Sequence, residues 1–155
     1  MNFNINKCVA VTGHRILPKN FDKERLLEIF NTLINNGYDT FLIGMALGFD
    51  TLCFNLLTEL KNSYKHIKLV AVVPCKNQDR AFNIKQKEEY KKMIFSADEV
   101  IVLNEEYITG CMQERNRFLV DNSSILVAYL TKNNGGTYYT VNYARKKEKE
   151  IVILD

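Results

Sequence analysis

Tryptophan is absent from this chain; proline and histidine occur twice each and glycine only seven times in 155 residues. Glycine and proline this sparse exclude collagen and Pro/Gly-rich disorder. No run approaches the ~18 consecutive apolar residues of a transmembrane helix, so no membrane contact is expected. The opening MNFNINKCVAVTG lacks a basic segment, an apolar stretch and a small-residue cleavage site in series. It reads as a first strand and not as a signal peptide. The four cysteines (Cys8, Cys53, Cys75, Cys111) never form C-x-x-C. That spacing argues against a metal site and a disulfide framework and implies a reducing, cytoplasmic compartment. An excess of one charge is missing too, since 21 Lys and Arg against 18 Asp and Glu leave only +3. Such a balance admits an anionic small ligand but lacks the concentrated basic face of a nucleic-acid-coating protein.

What is present fits a globular chain, with 46% hydrophobic and 25% charged residues. The length suits one domain over residues 1–155, with a core that needs no staples. Short runs rich in Val, Ile and Leu (Cys8–Val11, Thr40–Ile43, Ile67–Val73, Glu99–Leu103, Ser124–Leu130, Glu150–Leu154) are nearly continuously apolar. Strands buried on both faces of a parallel sheet read this way. Amphipathic stretches separate them. Leu26, Leu27, Phe30, Leu33 and Ile34 form one stripe, behind a cap at Asn20 or Asp22 and ahead of Gly37 as a stop. Leu52, Cys53, Leu56, Leu57 and Leu60 form a second, with Asp50 as its expected N-cap. Gln78–Phe95, Gln113–Asp121 and Thr137–Lys147 supply three more helices. Strand–helix alternation of this kind predicts an α/β fold in three layers, a mainly parallel sheet of five to six strands flanked by helices.

Six of the seven glycines and both prolines fall in loops that leave strands, which is where open α/β sheets bind ligands. Those loops carry Thr12, Gly13, His14 and Arg15; Gly44, Met45, Ala46, Gly48 and Asp50; Pro74 and Gln78; and Gly135, Gly136 and Thr137. Glycine there lets backbone N–H groups converge on an anion at a helix N-terminus, although tight turns alone would also use it. Three such loops on one edge favour a phosphate-bearing ligand. Neither G-x-x-x-x-G-K-[ST] nor G-x-G-x-x-G occurs, which disfavours an ATP-hydrolysing P-loop and a standard NAD site. Arg15 and Arg115 are the cations best placed for bidentate anion recognition, Arg115 having a salt bridge to Glu114 or Asp121 as its alternative role. Arg117 reads as a solvated surface residue. Asp50 could reach a ribose hydroxyl. His14 lacks a sequence-visible partner for acid–base work, and His66 sits in a strand-entry turn. Cys75 and Cys111 lie on the ligand edge without a nearby base. Tyr107, Tyr138 and Tyr139 could stack on a base or cover the rim.

The stretches VAVTGHR, GMALGFDT, LVAVVPCKNQ, SADEVIVLNEEYITGCMQERNRFLVDNSSILVAYL and NNGGTYYTVNYA cover most of the chain. With them the sequence resembles the SLOG superfamily, the Rossmann-like group containing Smf/DprA and LOG proteins, in its YpsA-like branch. The resemblance implies a Rossmann-like domain with a pocket for a nucleotide or nucleotide derivative at the strand ends, often in an oligomer. It adds Asn116, beside Arg115 in CM-x-x-RNR, to the expected binding residues. LOG members cleave the N-glycosidic bond of nucleoside monophosphates, pairing an M-x-x-R-K helix start with a P-G-G-x-G-T-x-x-E loop. Met112 and Arg115 match the first element, and Gly135-Gly136-Thr137 approximates the second, but Thr140 stands where the acid belongs. The expectation is therefore a binding protein, a sensor or sequestering protein for a nucleotide-like ligand, needing no cofactor and closed by a dimer or tetramer. The alternatives are a LOG-like N-glycosidase using Arg115 with Glu114 or His14, and a DprA-like single-stranded DNA binder, which the small charge excess disfavours.

Overall fold

All six Val/Ile/Leu-rich runs become strands. In the computed structural model, which describes residues 3–155, they alternate with five helices. The strands are β1 (Cys8–Gly13), β2 (Thr40–Ile43), β3 (Lys68–Val73), β4 (Glu99–Val102), β5 (Ile125–Tyr129) and β6 (Glu150–Leu154). The helices are α1 (Lys23–Asn35), α2 (Phe49–Leu60), α3 (Ile84–Ser96), α4 (Cys111–Asp121) and α5 (Gly135–Lys146). Every strand pairing is parallel, and the order across the sheet is β4-β3-β2-β1-β5-β6. The chain winds outward from β1 to β4, crosses back, and winds the other way through β5 to β6. The order thus reverses between β1 and β5, where an open α/β sheet leaves a crevice at the carboxyl ends of its strands.

Alternation along the strands sorts side chains into two cores. Val9, Val11, Phe41, Ile43, Leu69 and Val73 face α1, α2 and α3, meeting Leu26, Phe30, Phe49, Phe54, Leu57 and Met93. Ala10, Leu42, Val70, Val72, Leu126 and Ala128 face α4 and α5, meeting Leu119, Val120, Val141 and Ala144. Each fully buried Leu, Ile or Phe contributes about 1.5–3 kcal/mol, so the aromatic-rich first face carries most of the apolar stabilisation. Among the described residues no helix is long and apolar enough to cross a membrane.

Three local expectations change. The α2 N-cap is Gly48, not Asp50; the helix starts at Phe49 and Asp50 lies inside its first turn. The long helical reading of Gln78–Phe95 divides into a 3-10 turn over Gln78–Ala81 and then α3. Phe82 closes the first, and Asn83 opens the second with a capping box: its side chain accepts from Gln86 N, while the Gln86 side chain accepts from Asn83 N. Finally, β4 is an edge strand, and its Val100 and Val102 remain 39% and 42% exposed instead of buried on both faces. The cap at Asp22 and the stop at Gly37 (φ +99°) are found as expected.

Glycine at the carboxyl edge serves packing first. A Cβ on Gly13 would sit 2.4 Å from the Phe49 ring, and one on Gly48 would sit 2.2 Å from the Arg15 carbonyl oxygen. A Cβ on Gly136, by contrast, meets nothing closer than 3.9 Å. Gly13→Ala is therefore expected to cost about 1–3 kcal/mol by overpacking, a Tm fall of about 2–4 °C per kcal/mol in a chain of this size. Gly136→Ala should leave Tm within about 1–2 °C of wild type. Thermal unfolding followed by circular dichroism checks both, and equal stabilities for the two variants would refute the packing assignment.

Candidate functional site

Three helices begin at the strand-order reversal without a side-chain cap. Gly48, Gly110 and Asn134, the N-caps of α2, α4 and α5, make no side-chain capping bond, whereas Asp22 and Asn83 cap α1 and α3. The start of α5, Ala46 and Asp50 beside the start of α2, and the first turns of α4 surround a cleft of about 490 Å³ at the ends of β1 and β5. Thr12, Gly13, His14 and Arg15 approach from β1, Ala46 and Asp50 from α2, Arg115 and Asn116 from α4, and Gly135, Gly136 and Thr137 from α5. Uncapped first-turn N–H groups are good partners for an anion.

Arg115 lies at the floor of this cleft, 5% exposed. Its Nη1 donates to the Gly44 carbonyl oxygen, its Nε donates to Asn116 Oδ1 at 2.9 Å, and its Nη2 faces Met112 Sδ at 3.8 Å. Neither expected salt-bridge partner reaches it. Glu114 accepts from Asn104 Nδ2 at 2.7 Å on the exposed side, and Asp121 accepts from the Tyr143 hydroxyl. Its countercharge is Asp50, only 6% exposed. Asp50 Oδ2 accepts from Ala46 N at 3.0 Å, but Oδ1 has no hydrogen-bond partner among the described residues. Burial pushes the Asp50 carboxyl up to about 6, against the opposing pull of Arg115, the Ala46 N–H and Arg15. Burial likewise holds Arg115 below its ordinary value.

The other end of the cleft is built around α5. Lys132 reaches the first turn, its Cε 3.9 Å from where a Gly135 Cβ would stand, and Asn116 Nδ2 lies at the same distance from that of Gly136. Gly135 has φ +90°, a conformation glycine adopts without strain. Thr140, at the position where LOG enzymes carry an acid, is fully buried and donates to Gly136 O at 2.8 Å. His14 Nε2 accepts from Thr131 N at 2.9 Å, and burial together with the Lys132 charge lowers the His14 pKa. His14 is thus a neutral ring that presents Nδ1–H as its remaining donor. Three cations (Arg15, Arg115, Lys132) and one carboxylate (Asp50) line the cleft, so its charge favours an anion.

Several sequence candidates lie elsewhere. Gly44 sits under Arg115 and Pro74 accepts from Asn104 Nδ2 at 2.9 Å. Gln78 is a buried strut that donates to Gly44 O at 3.0 Å and accepts from the Tyr90 hydroxyl at 3.2 Å. Met45 and Gly48 line a separate cleft of about 650 Å³ among α1, α2 and α3, which shares Arg15 with the first. Cys75 and Cys111 are fully buried, and burial raises the Cys75 thiol. Arg117 donates to the Tyr139 hydroxyl at 2.9 Å, away from the cleft. Lys132 and Thr131 line the cleft without having been singled out. Their place just after β5, in a loop leaving a strand, was the available signal.

Comparison with known proteins places this geometry. A family model described as the YspA SLOG family matches residues 19–153. The SPbeta prophage-derived protein YoqJ of Bacillus subtilis strain 168 is 34% identical over 138 residues, covering 80% of each chain. UPF0398 protein YpsA of the same organism is 23% identical over 157 residues, covering 93% of this chain and 87% of its own. Among solved structures, DNA processing protein A from Helicobacter pylori, described by its single-stranded DNA binding mode, superposes with a TM-score of 0.69 at 21% identity. That from Streptococcus pneumoniae gives 0.65 at 19%. This chain is covered to 96% in both, but spans only 65% and 50% of those proteins. The likeness to them is one of Rossmann-like fold.

Asp50 gives the site a pH signature. Its folded-state pKa of about 6 lies above the ordinary 3.8, so between these values the native chain holds a proton that the unfolded chain has released. This contribution is fully present below the lower value and is lost as pH rises through the upper one. Urea unfolding of wild type and Asp50→Asn at several pH values isolates it, with the two stabilities diverging by on the order of 2–3 kcal/mol across that window. Parallel profiles would show that Asp50 is not buried as a carboxylate.

Proposed function

The chain belongs to the YpsA-type SLOG family, and from that premise we propose that it binds a nucleotide or nucleotide-derived small molecule at the carboxyl edge of its sheet, as a sensor or sequestering protein. The observation that carries this reading is Asp50, which lines the same cleft as the uncapped start of α5 and whose buried Oδ1 has no partner among the described residues. An unsatisfied buried polar group costs about 1–3 kcal/mol, which a ligand donor recovers on binding. A sugar hydroxyl is such a donor, and a phosphate on the same sugar suits the Gly135–Thr137 N–H groups with Lys132 beside them. A phosphodiester strand of DNA brings the phosphates but, within the strand, no free sugar hydroxyl to donate to Asp50. The raised carboxyl also supports a second reading, hydrolysis of a nucleotide N-glycosidic bond with Asp50 in the acid–base role, because a carboxyl at about 6 can exchange protons near neutrality. Closure of the open cleft by a second copy belongs to the same proposal, and light scattering that finds only an 18.0 kDa species removes that part.

Mass spectrometry of small molecules released on denaturation, with thermal-shift titration of ribose 5-phosphate, AMP and oligo-dT, tests these readings. Binding of the sugar phosphates is expected, weakened about tenfold or more in Asp50→Asn and in Lys132→Ala. Salt-sensitive binding of oligo-dT alone would replace the proposal with the single-stranded DNA reading. Release of free base from AMP by wild type, and not by Asp50→Asn, would establish the enzyme.

A further inference from the structure

A smaller compartment of about 240 Å³ adjoins the cleft, and Arg15, Ala46 and Met112 line both, so the two are neighbours along the sheet edge. Its own walls come from Leu47, Phe82, Arg80 and Tyr107. The Arg80 guanidinium lies over the Tyr107 ring with Cζ 4.1 Å from the centroid. Arg80 forms no ion pair among the described residues, in which Lys61 with Asp98 and Lys76 with Glu105 are the pairs found. Its backbone is held from below, because it belongs to the 3-10 turn that Gln78 ties to Gly44 and Tyr90.

We propose that this compartment is a base subsite, in which a planar heteroaromatic ring stacks on the Arg80–Tyr107 pair while its sugar phosphate occupies the main cleft. The proposal rests on the nucleotide reading above and adds to it the residues that hold the ring. A guanidinium over an aromatic ring adds a planar cationic group to that ring's π-surface, and nucleobases stack on both kinds of surface. Ala46, Leu47, Phe82 and Met112 supply the apolar contact that a second phosphate would forfeit and a heterocycle exploits. The volume suits a single ring system. Asp50 then sits between the two ends, lining the main cleft on the Ala46 side that both compartments share.

Calorimetric titration of ribose 5-phosphate, AMP and UMP into wild type, Tyr107→Ala, Tyr107→Phe and Arg80→Ala tests it. In wild type both nucleotides should bind about tenfold or more tighter than ribose 5-phosphate. That advantage should shrink to roughly threefold or less in Tyr107→Ala and Arg80→Ala and survive in Tyr107→Phe, because the ring and not its hydroxyl does the stacking. The ribose 5-phosphate affinity should be the same in all four proteins. If ribose 5-phosphate binds and the bases add nothing, or if the variants weaken all three ligands alike, the base subsite is overturned while the nucleotide reading stands. If none of the three binds wild type, both fall together.

Discussion

A guanidinium buried against a backbone carbonyl organises the carboxyl edge of this protein. Arg115 comes from the helical layer that also holds α5, and its Nη1 donates to the Gly44 carbonyl at the end of β2. The same carbonyl accepts from Gln78, and Gln78 accepts from Tyr90 in the opposite layer. The chain of bonds Tyr90–Gln78–Gly44–Arg115–Asn116 therefore crosses the sheet edge from one helical layer to the other. A Cβ on Gly44 would come within 2.8 Å of Arg115 Nη1, so a larger residue there would make the guanidinium shift. Leaving a buried guanidinium without partners costs several kcal/mol, and here each of its three nitrogens has one partner.

The consequence of placing that cation is a carboxylate with one oxygen left over. Asp50 lies in the first turn of α2, where the helix dipole and Arg115 both favour a negative charge, yet burial keeps its carboxyl near 6. Buried charges are tolerated when paired and hydrogen-bonded, and this one is only half satisfied. The start of α5, which has no side-chain cap, lines the same cleft as this carboxylate. The buried side-chain oxygen left without a partner among the described residues thus belongs to a residue of the cleft and not of the apolar core.

Much of the fold was legible from pattern. Continuous Val, Ile and Leu runs separated by helical stripes determine a parallel sheet, and Asp22 and Gly37 bound α1 as their chemistry requires. The Asn83–Gln86 capping box was also present in the sequence, but the surrounding lysine-rich stretch hid the break that it makes. Asp50 suited an N-cap equally well by residue type; what displaced it is the close approach of the 44–48 loop to Arg15, which moves the helix start to Phe49. Gly13 and Gly48 stood in the sequence as anion-loop candidates. Their missing Cβ atoms make room for Phe49 and for the Arg15 backbone. Lys132 carried no signal beyond its position after a strand, since a lysine in a loop is ordinarily solvated.

Scarcity of glycine and proline, and the confinement of nearly all of them to strand exits, were enough to single out the edge of the sheet at which the cleft lies. Local pattern does this well because period, capping and turn chemistry act over a few residues. Which exits meet each other is a different matter. The crossover after β4 brings β5 beside β1, and with it α4 and α5 to Thr12–Arg15 and Asp50, residues far away in the chain. That pairing is settled by how the two apolar faces of the sheet are covered, a property of the whole packed chain. The unpartnered oxygen of Asp50 is likewise a product of burial and angle, and it exists only once the layers have closed around it.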